Sequence, residues 1–116
     1  MRQLAAVIVG ALVGTALRLG VDVLVGTPLS TLLINIAGSF ALALLVARLW
    51  PTATPVLRAA LGPGLLGTFT TFSAVAVALV SLSAAGEWMP ALAYLAATLI
   101  GGLAAAFLGL RLGRRR

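Results

Sequence analysis

Four long apolar segments divide this sequence, and they constrain its fold more than any other feature. They cover residues 4–25, 29–49, 56–82 and 90–112. A helix needs about 20 apolar residues to cross the hydrocarbon core of a bilayer, and each segment is close to that length. The gaps between the segments are short and contain glycine or proline, which are typical of turns. The sequence therefore predicts an all-α membrane protein in which residues 1–116 form one domain of four transmembrane helices.

The low content of charged residues agrees with this prediction. Of the 116 residues, 62% are hydrophobic and 9% are charged, whereas a soluble domain carries about 25% charged residues. Cysteine and histidine are both absent, so the chain offers no thiol nucleophile, no thiolate metal site and no histidine proton shuttle. This composition argues against most hydrolytic and metal-dependent enzymes, and we expect a protein that is not an enzyme.

The arginines are concentrated on one side of the predicted bilayer. Four crossings place both termini and the middle loop on the same side, which holds Arg2, Arg48, Arg58, Arg111, Arg114, Arg115 and Arg116. The loops on the opposite side contain Glu87 and neither arginine nor lysine. The positive-inside rule therefore predicts that both termini are cytoplasmic. The alanine-rich composition, with arginine and no lysine, suggests a bacterial source and hence a bacterial plasma membrane. Because the net charge of +6 lies at helix ends, we expect contact with anionic lipid head groups and no nucleic-acid binding.

The first segment combines a packing face with two charges. Gly10 and Gly14 are four residues apart and form a small-xxx-small face for close helix packing. Arg18 and Asp22 follow on the same face at the same interval. They are typical of an i, i+4 ion pair near the extracellular end, with Arg18 extended toward the surface. Alternatively, Arg18 places a guanidinium at the mouth of an anion pathway.

The second segment carries a polar stripe on one helix face. Thr31, Asn35, Gly38 and Ser39 occur at positions i, i+4, i+7 and i+8. An asparagine inside a membrane often joins two helices through hydrogen bonds. The stripe is also typical of the lining of an aqueous vestibule, because the side-chain NH2 of asparagine can donate to an anion.

The third segment contains the strongest helix-weakening residues. Gly62, Pro63, Gly64 and Gly67 disfavour a regular helix, and residues 67–73, GTFTTFS, add hydroxyls around two phenylalanine rings. One interpretation is a kinked helix whose serine and threonine hydroxyls bond to their own i−4 carbonyls. The other is a helix broken near the membrane midplane, which is tolerated where the break is buried in protein or lines a cavity. The whole cluster favours the broken helix.

The fourth segment repeats the pattern of a single polar face. Tyr94, Thr98 and Gly102 follow one another at intervals of four residues. This face either packs against the third segment or contributes polar groups to the same pathway.

Three short motifs resemble those of a known family. They are GTALR at residues 14–18, TLLINIAGSF at residues 31–40 and GTFTTFS at residues 67–73. They are similar to the G-A-x-x-R, T-L-x-V-N-x-x-G-S-F and G-x-x-T-T-F-S signatures of the Fluc/CrcB fluoride channels. The order and spacing agree along essentially the whole chain, and the second and third motifs together are specific.

The resemblance implies a fold, a function and a set of site residues. The family forms antiparallel, dual-topology dimers with two pores at the subunit interface, and exports fluoride by passive electrodiffusion to lower its toxicity in the cytoplasm. The fluoride-pore residues implied in this chain are Asn35, Phe72, Ser73, Thr31, Tyr94 and Thr98. Arg18 would lie at a vestibule. The backbone carbonyls of Gly67 and Thr70 would hold a structural sodium ion at the dimer interface.

Two positions depart from the family pattern. A second pore phenylalanine usually follows the first by three residues, where this chain has Val75, and a glutamate follows three residues later, where it has Ala78. The one-sided arginines also favour a single orientation in the membrane. We therefore expect a heterodimer with a paralogue inserted the opposite way, with a homodimer as the alternative.

Two other functions stay open from the sequence. One is a small multidrug resistance-type cation/proton antiporter, which needs a membrane-embedded acid in its first helix; here the only candidate is Asp22, near the helix end. The other is a non-conducting partner subunit of a heterodimeric channel. That reading explains the packing glycines but not the Asn35 stripe together with a broken third helix.

Overall fold

The computed structural model describes residues 1–115, and this range is helical apart from short turns. The helices are α1 (Arg2–Val25), α2 (Leu29–Arg48), α3 (Pro55–Ala59), a π-helix (Ala60–Leu66), α4 (Gly67–Phe69), α5 (Ser73–Ala84) and α6 (Trp88–Arg114). Arg116, one of the arginines assigned above to the cytoplasmic side, lies outside the described residues.

Four helical spans are long and apolar enough to cross a membrane. They are Arg2–Val25, Leu29–Arg48, Pro55–Ala84 and Trp88–Arg114, with mean hydropathies of 1.9 to 2.1. The four predicted segments are thus confirmed, and the chain is a multi-pass membrane protein. The first and last helices each extend beyond the predicted bounds, to Arg2 and to Arg114. Helical hydrogen bonding continues past the apolar run at these ends, where arginine side chains can reach the polar surface.

The third span is assembled from several short helical pieces. Pro63 has no N–H to donate, and the wider π-helical turn accommodates it within residues 60–66. The next piece, α4, ends where Thr70 adopts an extended backbone with ψ of 155°. Helical structure resumes at Ser73. The π-helix was not anticipated from the sequence, and the location of the Thr70–Phe72 interruption near the membrane midplane stays a prediction.

Glycines allow two pairs of helical elements to approach closely. In α1, Gly10 and Gly14 are buried against the π-helix, and a Cβ on either would clash with the carbonyl oxygen of Ala60 or Leu65. Between α2 and α6, a Cβ on Gly109 would lie 2.5 Å from the carbonyl oxygen of Phe40. The small-xxx-small face predicted in the first segment is therefore a packing face, and its partner is the third span. Such contacts are typical of membrane helices, where close van der Waals packing drives association.

Large apolar side chains cover the outside of the protein. Leu12, Val23, Val80 and Leu103 are all more than two-thirds exposed, whereas Ile34 is 1% exposed. A water-soluble protein rarely exposes so much contiguous apolar surface. The outer surface is therefore suited to lipid or to another membrane-embedded chain.

We expect Gly14→Ala to lower the free energy of unfolding by roughly 1–3 kcal/mol, because the added methyl group overpacks the contact with the π-helix. Gly20→Ala is the matched control in the same helix, since a Cβ at Gly20 has no atom within 4 Å. The measurement is equilibrium unfolding of each variant in mixed detergent micelles. Equal stability of the two variants would show that α1 does not pack closely on the third span.

Candidate ion pathway

A reciprocal pair of hydrogen bonds joins α2 to the interruption in the third span. The Asn35 side chain donates from Nδ2 to the Thr71 carbonyl oxygen at 2.8 Å, and its Oδ1 accepts from the Thr71 N–H at 2.8 Å. Because the last helical N–H bond before the interruption is that of Thr70, the backbone of Thr71 needs such partners. Asn35 thus links two helices, as one interpretation of the sequence held. One of its two Nδ2 hydrogens is not used in this pair of hydrogen bonds.

Two cavities lie on either side of this bridge. The first, of about 750 Å³, is lined by Asn35, Gly67, Thr70, Phe72 and Thr98, among other residues. The second, of about 520 Å³, is lined by Arg18, Asp22, Thr31 and Ser73, among other residues. Thr71 lines both cavities. The interruption of the third span therefore forms the partition between them.

Charge distinguishes the two cavities. Among the described residues, no charged side chain lines the first cavity, whereas Arg18 and Asp22 both line the second. Of the two positions that depart from the family pattern, Val75 lines the first cavity and Ala78 lines the second. Val75 is only 4% exposed, so most of its surface is packed against protein.

The aromatic and hydroxyl residues of the predicted pore differ in their surroundings. Phe72 is 84% exposed at the wall of the first cavity. Ser73 shares a 3.1 Å hydrogen bond with the hydroxyl of Thr71, and Thr31 is 2% exposed. The hydroxyl of Thr98 donates to the carbonyl of Tyr94 in its own helix at 2.8 Å.

Tyr94 contacts two of the other predicted pore residues, since its carbonyl accepts from the Thr98 hydroxyl and its own hydroxyl lies close to that of Thr31. Its hydroxyl donates to the carbonyl oxygen of Pro28 at 3.3 Å, which ties α6 to the turn between α1 and α2. In the part of the chain that the structure describes, Tyr94 is not among the residues lining either cavity. The polar face predicted on the fourth segment therefore includes at least one contact that holds helices together.

Two backbone carbonyls, of Gly67 at the start of α4 and of Thr70 just after it, are of a type that suits a hard cation. Both the N–H and the hydroxyl of Thr70 bond to the carbonyl of Leu66, at 3.1 and 3.0 Å. Within residues 1–115, neither the Gly67 nor the Thr70 carbonyl takes part in the hydrogen bonds that bridge the interruption. Backbone carbonyl oxygens are ligands that hard metal ions prefer. The residues present thus fit the sodium site that the family resemblance implies.

Asp22 has a partner that the sequence did not indicate. Its Oδ1 accepts a 2.6 Å hydrogen bond from the hydroxyl of Ser30, which is fully buried. Among residues 1–115, no arginine nitrogen lies within the 4.0 Å of this carboxylate that defines an ion pair. The predicted ion pair between Arg18 and Asp22 is thus not among the contacts of the described residues, and the hydroxyl of Ser30 on the next helix bonds one of the two carboxylate oxygens.

Two further residues at the interruption were missed by sequence reasoning. The hydroxyl of Thr68 lies 3.1 Å from the Ala11 carbonyl of α1 and 2.8 Å from the Gly64 carbonyl. Thr71 contributes its backbone to the bridge with Asn35. An asparagine facing a helix break is a signal for the second contact, since a broken backbone needs both a donor and an acceptor.

A family model supports the resemblance seen in the motifs. The model described as "CrcB-like protein, Camphor Resistance (CrcB)" matches residues 5–110 of this chain. The chain belongs to the CrcB family. The predicted family is thereby confirmed, and the small multidrug resistance alternative is not.

Relatives of similar length agree with this assignment. A protein of Chloroflexus aurantiacus named fluoride-specific ion channel FluC is 36% identical, over 98% of this chain and 97% of its own. The protein of the same name from Paracoccus denitrificans is 42% identical, over 93% of this chain and 91% of its own. Fluoride-specific ion channel FluC 1 of Listeria monocytogenes is 41% identical, over 90% of this chain and 91% of its own. CrcB relatives are thus ion channels, and the expectation that this chain is not an enzyme is confirmed.

We expect Asn35→Ala to destabilise the protein by at least about 2 kcal/mol, because it leaves the N–H and C=O of Thr71 without partners. Ser39→Ala is the matched control, since Ser39 lies one turn further along the same helix and also lines the first cavity. Unfolding in detergent gives the stability, and amide hydrogen exchange at Thr71 reports the local bond. Unchanged exchange at Thr71 in the Asn35 variant would contradict the bridge.

Proposed function

We propose that this chain is a subunit of a fluoride-selective channel, through which fluoride leaves the cytoplasm by passive electrodiffusion and its toxicity is lowered. The observation that carries the proposal is the placement of Asn35 and Phe72 together at an uncharged cavity beside the interrupted third span. The names of the relatives, all fluoride-specific ion channels, support the choice of ion.

An aromatic edge and amide hydrogens suit the passage of a small anion. The edge of the exposed Phe72 ring is electropositive through the ring quadrupole and attracts an anion without a fixed charge. The remaining Nδ2 hydrogen of Asn35 is a second donor. A buried arginine would hold fluoride too tightly, whereas conduction requires sites that are weak and multiple. An uncharged first cavity meets this requirement.

Hydroxyl groups complete the proposed path. Thr98 lies at the first cavity, and Thr31 and Ser73 lie at the second. Tyr94 is held at the turn before α2 and would act near the pathway's end. Fluoride accepts hydrogen bonds and donates none, so the Thr98 and Tyr94 hydroxyls would have to turn from the Tyr94 and Pro28 carbonyls to replace part of its hydration shell. Arg18 attracts anions to the vestibule formed by the second cavity.

We further propose that two subunits pack in opposite orientations, with the third span broken near the membrane midplane. The exposed Phe72 and the first cavity lie on a surface that a second subunit would cover. Each pore would then lie between the subunits, and an interrupted helix at that depth would be buried in protein as its free backbone groups require.

A structural sodium ion at this dimer interface is part of the proposal. The carbonyls of Gly67 and Thr70 from each subunit would supply four hard oxygen ligands. A bound sodium ion would supply positive charge beside these carbonyl groups at the interruption of the helix. Because these groups would lie at the interface of the proposed dimer, sodium would stabilise the dimer rather than the separate chain.

Replacing sodium by N-methylglucamine should destabilise the dimer by about 2–3 kcal/mol, if sodium was present at a hundredfold excess over its dissociation constant. The measurement is thermal unfolding of the dimer in detergent, followed by size-exclusion chromatography. Potassium chloride at the same ionic strength is the control. Equal stability in sodium and N-methylglucamine would contradict the sodium site.

The partner proposed here is a paralogue of opposite orientation. Six of the seven arginines on the cytoplasmic side are within the described residues, and they favour termini in the cytoplasm of a bacterial cell. Val75 stands where the family has a second pore phenylalanine, and it offers no ring edge. The Listeria relative carries the number 1 in its name, which is typical of proteins with a paralogue.

Fluoride efflux from proteoliposomes tests the function directly. We expect a fluoride electrode to record efflux from vesicles that contain this chain together with an oppositely biased paralogue, and a chloride electrode to record none. The lone chain should give little flux. Strong fluoride flux from the lone chain would contradict the heterodimer, and chloride flux equal to fluoride flux would contradict the selectivity. Absence of flux in both preparations would contradict the channel itself.

Phe72→Leu separates the pore from the fold in the same assay. The exposed ring contributes little to packing within the subunit, so the variant should fold, while its fluoride flux should fall roughly three- to tenfold with the loss of the ring edge. Phe107→Leu is the matched control, since Phe107 is also largely exposed, at 60%, but lines neither of the two cavities.

A further inference from the structure

The hydrogen bond from Ser30 to Asp22 is short, and its donor is buried. Its length is 2.6 Å, in the range of a charge-assisted O–H···O⁻ bond. Ser30 is 0% exposed, so water does not compete for its hydroxyl. The bond joins residues eight positions apart, one near the end of α1 and the other at the start of α2. The carboxylate is therefore directed toward α2.

Arg18 lies one helical turn before Asp22 on the same face of α1. Both side chains line the second cavity, and they are the two charged residues among its described lining. Side chains at i and i+4 are neighbours on a helix surface. A carboxylate without another partner would therefore be expected to turn toward the guanidinium.

Pairing of these two charges would change the field in the second cavity. An arginine bound to a carboxylate presents little net positive charge to an anion arriving from water. An arginine without that partner raises the local concentration of anions at the mouth of a pathway. The direction taken by the Asp22 carboxylate thus decides how strongly the cavity attracts anions.

We propose that Ser30 is a positioning residue, which holds the Asp22 carboxylate toward α2 and so leaves the Arg18 guanidinium free to attract anions into the second cavity. The role of Arg18 at a vestibule rests on the proposed function. The assignment of Ser30 rests on the hydrogen bond, its burial and the shared cavity. Neither Ser30 nor Asp22 contacts the ion in this proposal.

Four variants test the proposal by fluoride flux, in vesicles containing the chain with its paralogue. Ser30→Ala should lower flux roughly two- to fivefold, the range expected of a partly exposed ion pair. Ser30→Ala with Asp22→Asn should restore it, because the neutral amide no longer binds Arg18. Asp22→Glu should reproduce the loss with Ser30 intact, since the longer carboxylate reaches the guanidinium. Ser81→Ala, which removes another hydroxyl from the same cavity, should have no effect.

The dependence of flux on ionic strength distinguishes an electrostatic role from a structural one. At low fluoride, flux through the wild type should decrease as inert salt is added, because salt screens the attraction to Arg18. The dependence of flux on salt concentration should become weaker in Ser30→Ala and return to the wild-type dependence in the double variant. Loss of flux that the double variant does not restore, or an unchanged salt dependence in Ser30→Ala, would overturn the proposal.

A chemical measurement keeps this test independent of fluoride conduction. Phenylglyoxal modifies unpaired guanidinium groups. Mass spectrometry of the peptide that contains Arg18 gives the rate at which Arg18 is modified. The rate should fall in Ser30→Ala and recover in the double variant. If the wild type conducts no fluoride but these rates change as expected, the proposed function fails and the role of Ser30 stands. Equal rates in wild type and Ser30→Ala would overturn the role of Ser30.

Discussion

Backbone groups released by a helix break must find partners inside the protein, because an apolar surrounding supplies no water and each unpaired group costs several kcal/mol. The Asn35 side chain meets this need by giving Thr71 both a donor and an acceptor at 2.8 Å. Thr68 adds a contact from the same region to the Ala11 carbonyl of α1. The interruption is thus tied to α2 and α1, and the chain can depart from helical structure there while keeping one backbone arrangement.

Close packing elsewhere makes this arrangement rigid enough to form two cavities. Glycines in α1 bring its backbone against the π-helix, and those in α6 bring it against α2. The partition between the cavities is the non-helical segment itself, since Thr71 lines both.

The two cavities differ in the kind of interaction they offer an ion. The first presents an aromatic ring, an amide and hydroxyls without a charged side chain, and the second presents Arg18 near a carboxylate. The second cavity would act on an anion by attraction over a distance, and the first by weak binding. The hydrogen bond between Ser30 and Asp22 belongs to this scheme, because it decides whether the positive charge of Arg18 is available.

Hydropathy and motif spacing in the sequence determined the four spans, the family and the residues gathered around the interrupted helix. Those features follow from local composition, since a span needs only length and apolarity. Contacts between helices were decided by the tertiary structure alone. Asp22 pairs with Ser30 instead of Arg18, Tyr94 bonds to Pro28 instead of lining a cavity, and Asn35 bridges to the backbone of Thr71. Each of these hydrogen bonds depends on distances between residues far apart in sequence or on different helices, which helical periodicity along one segment cannot specify.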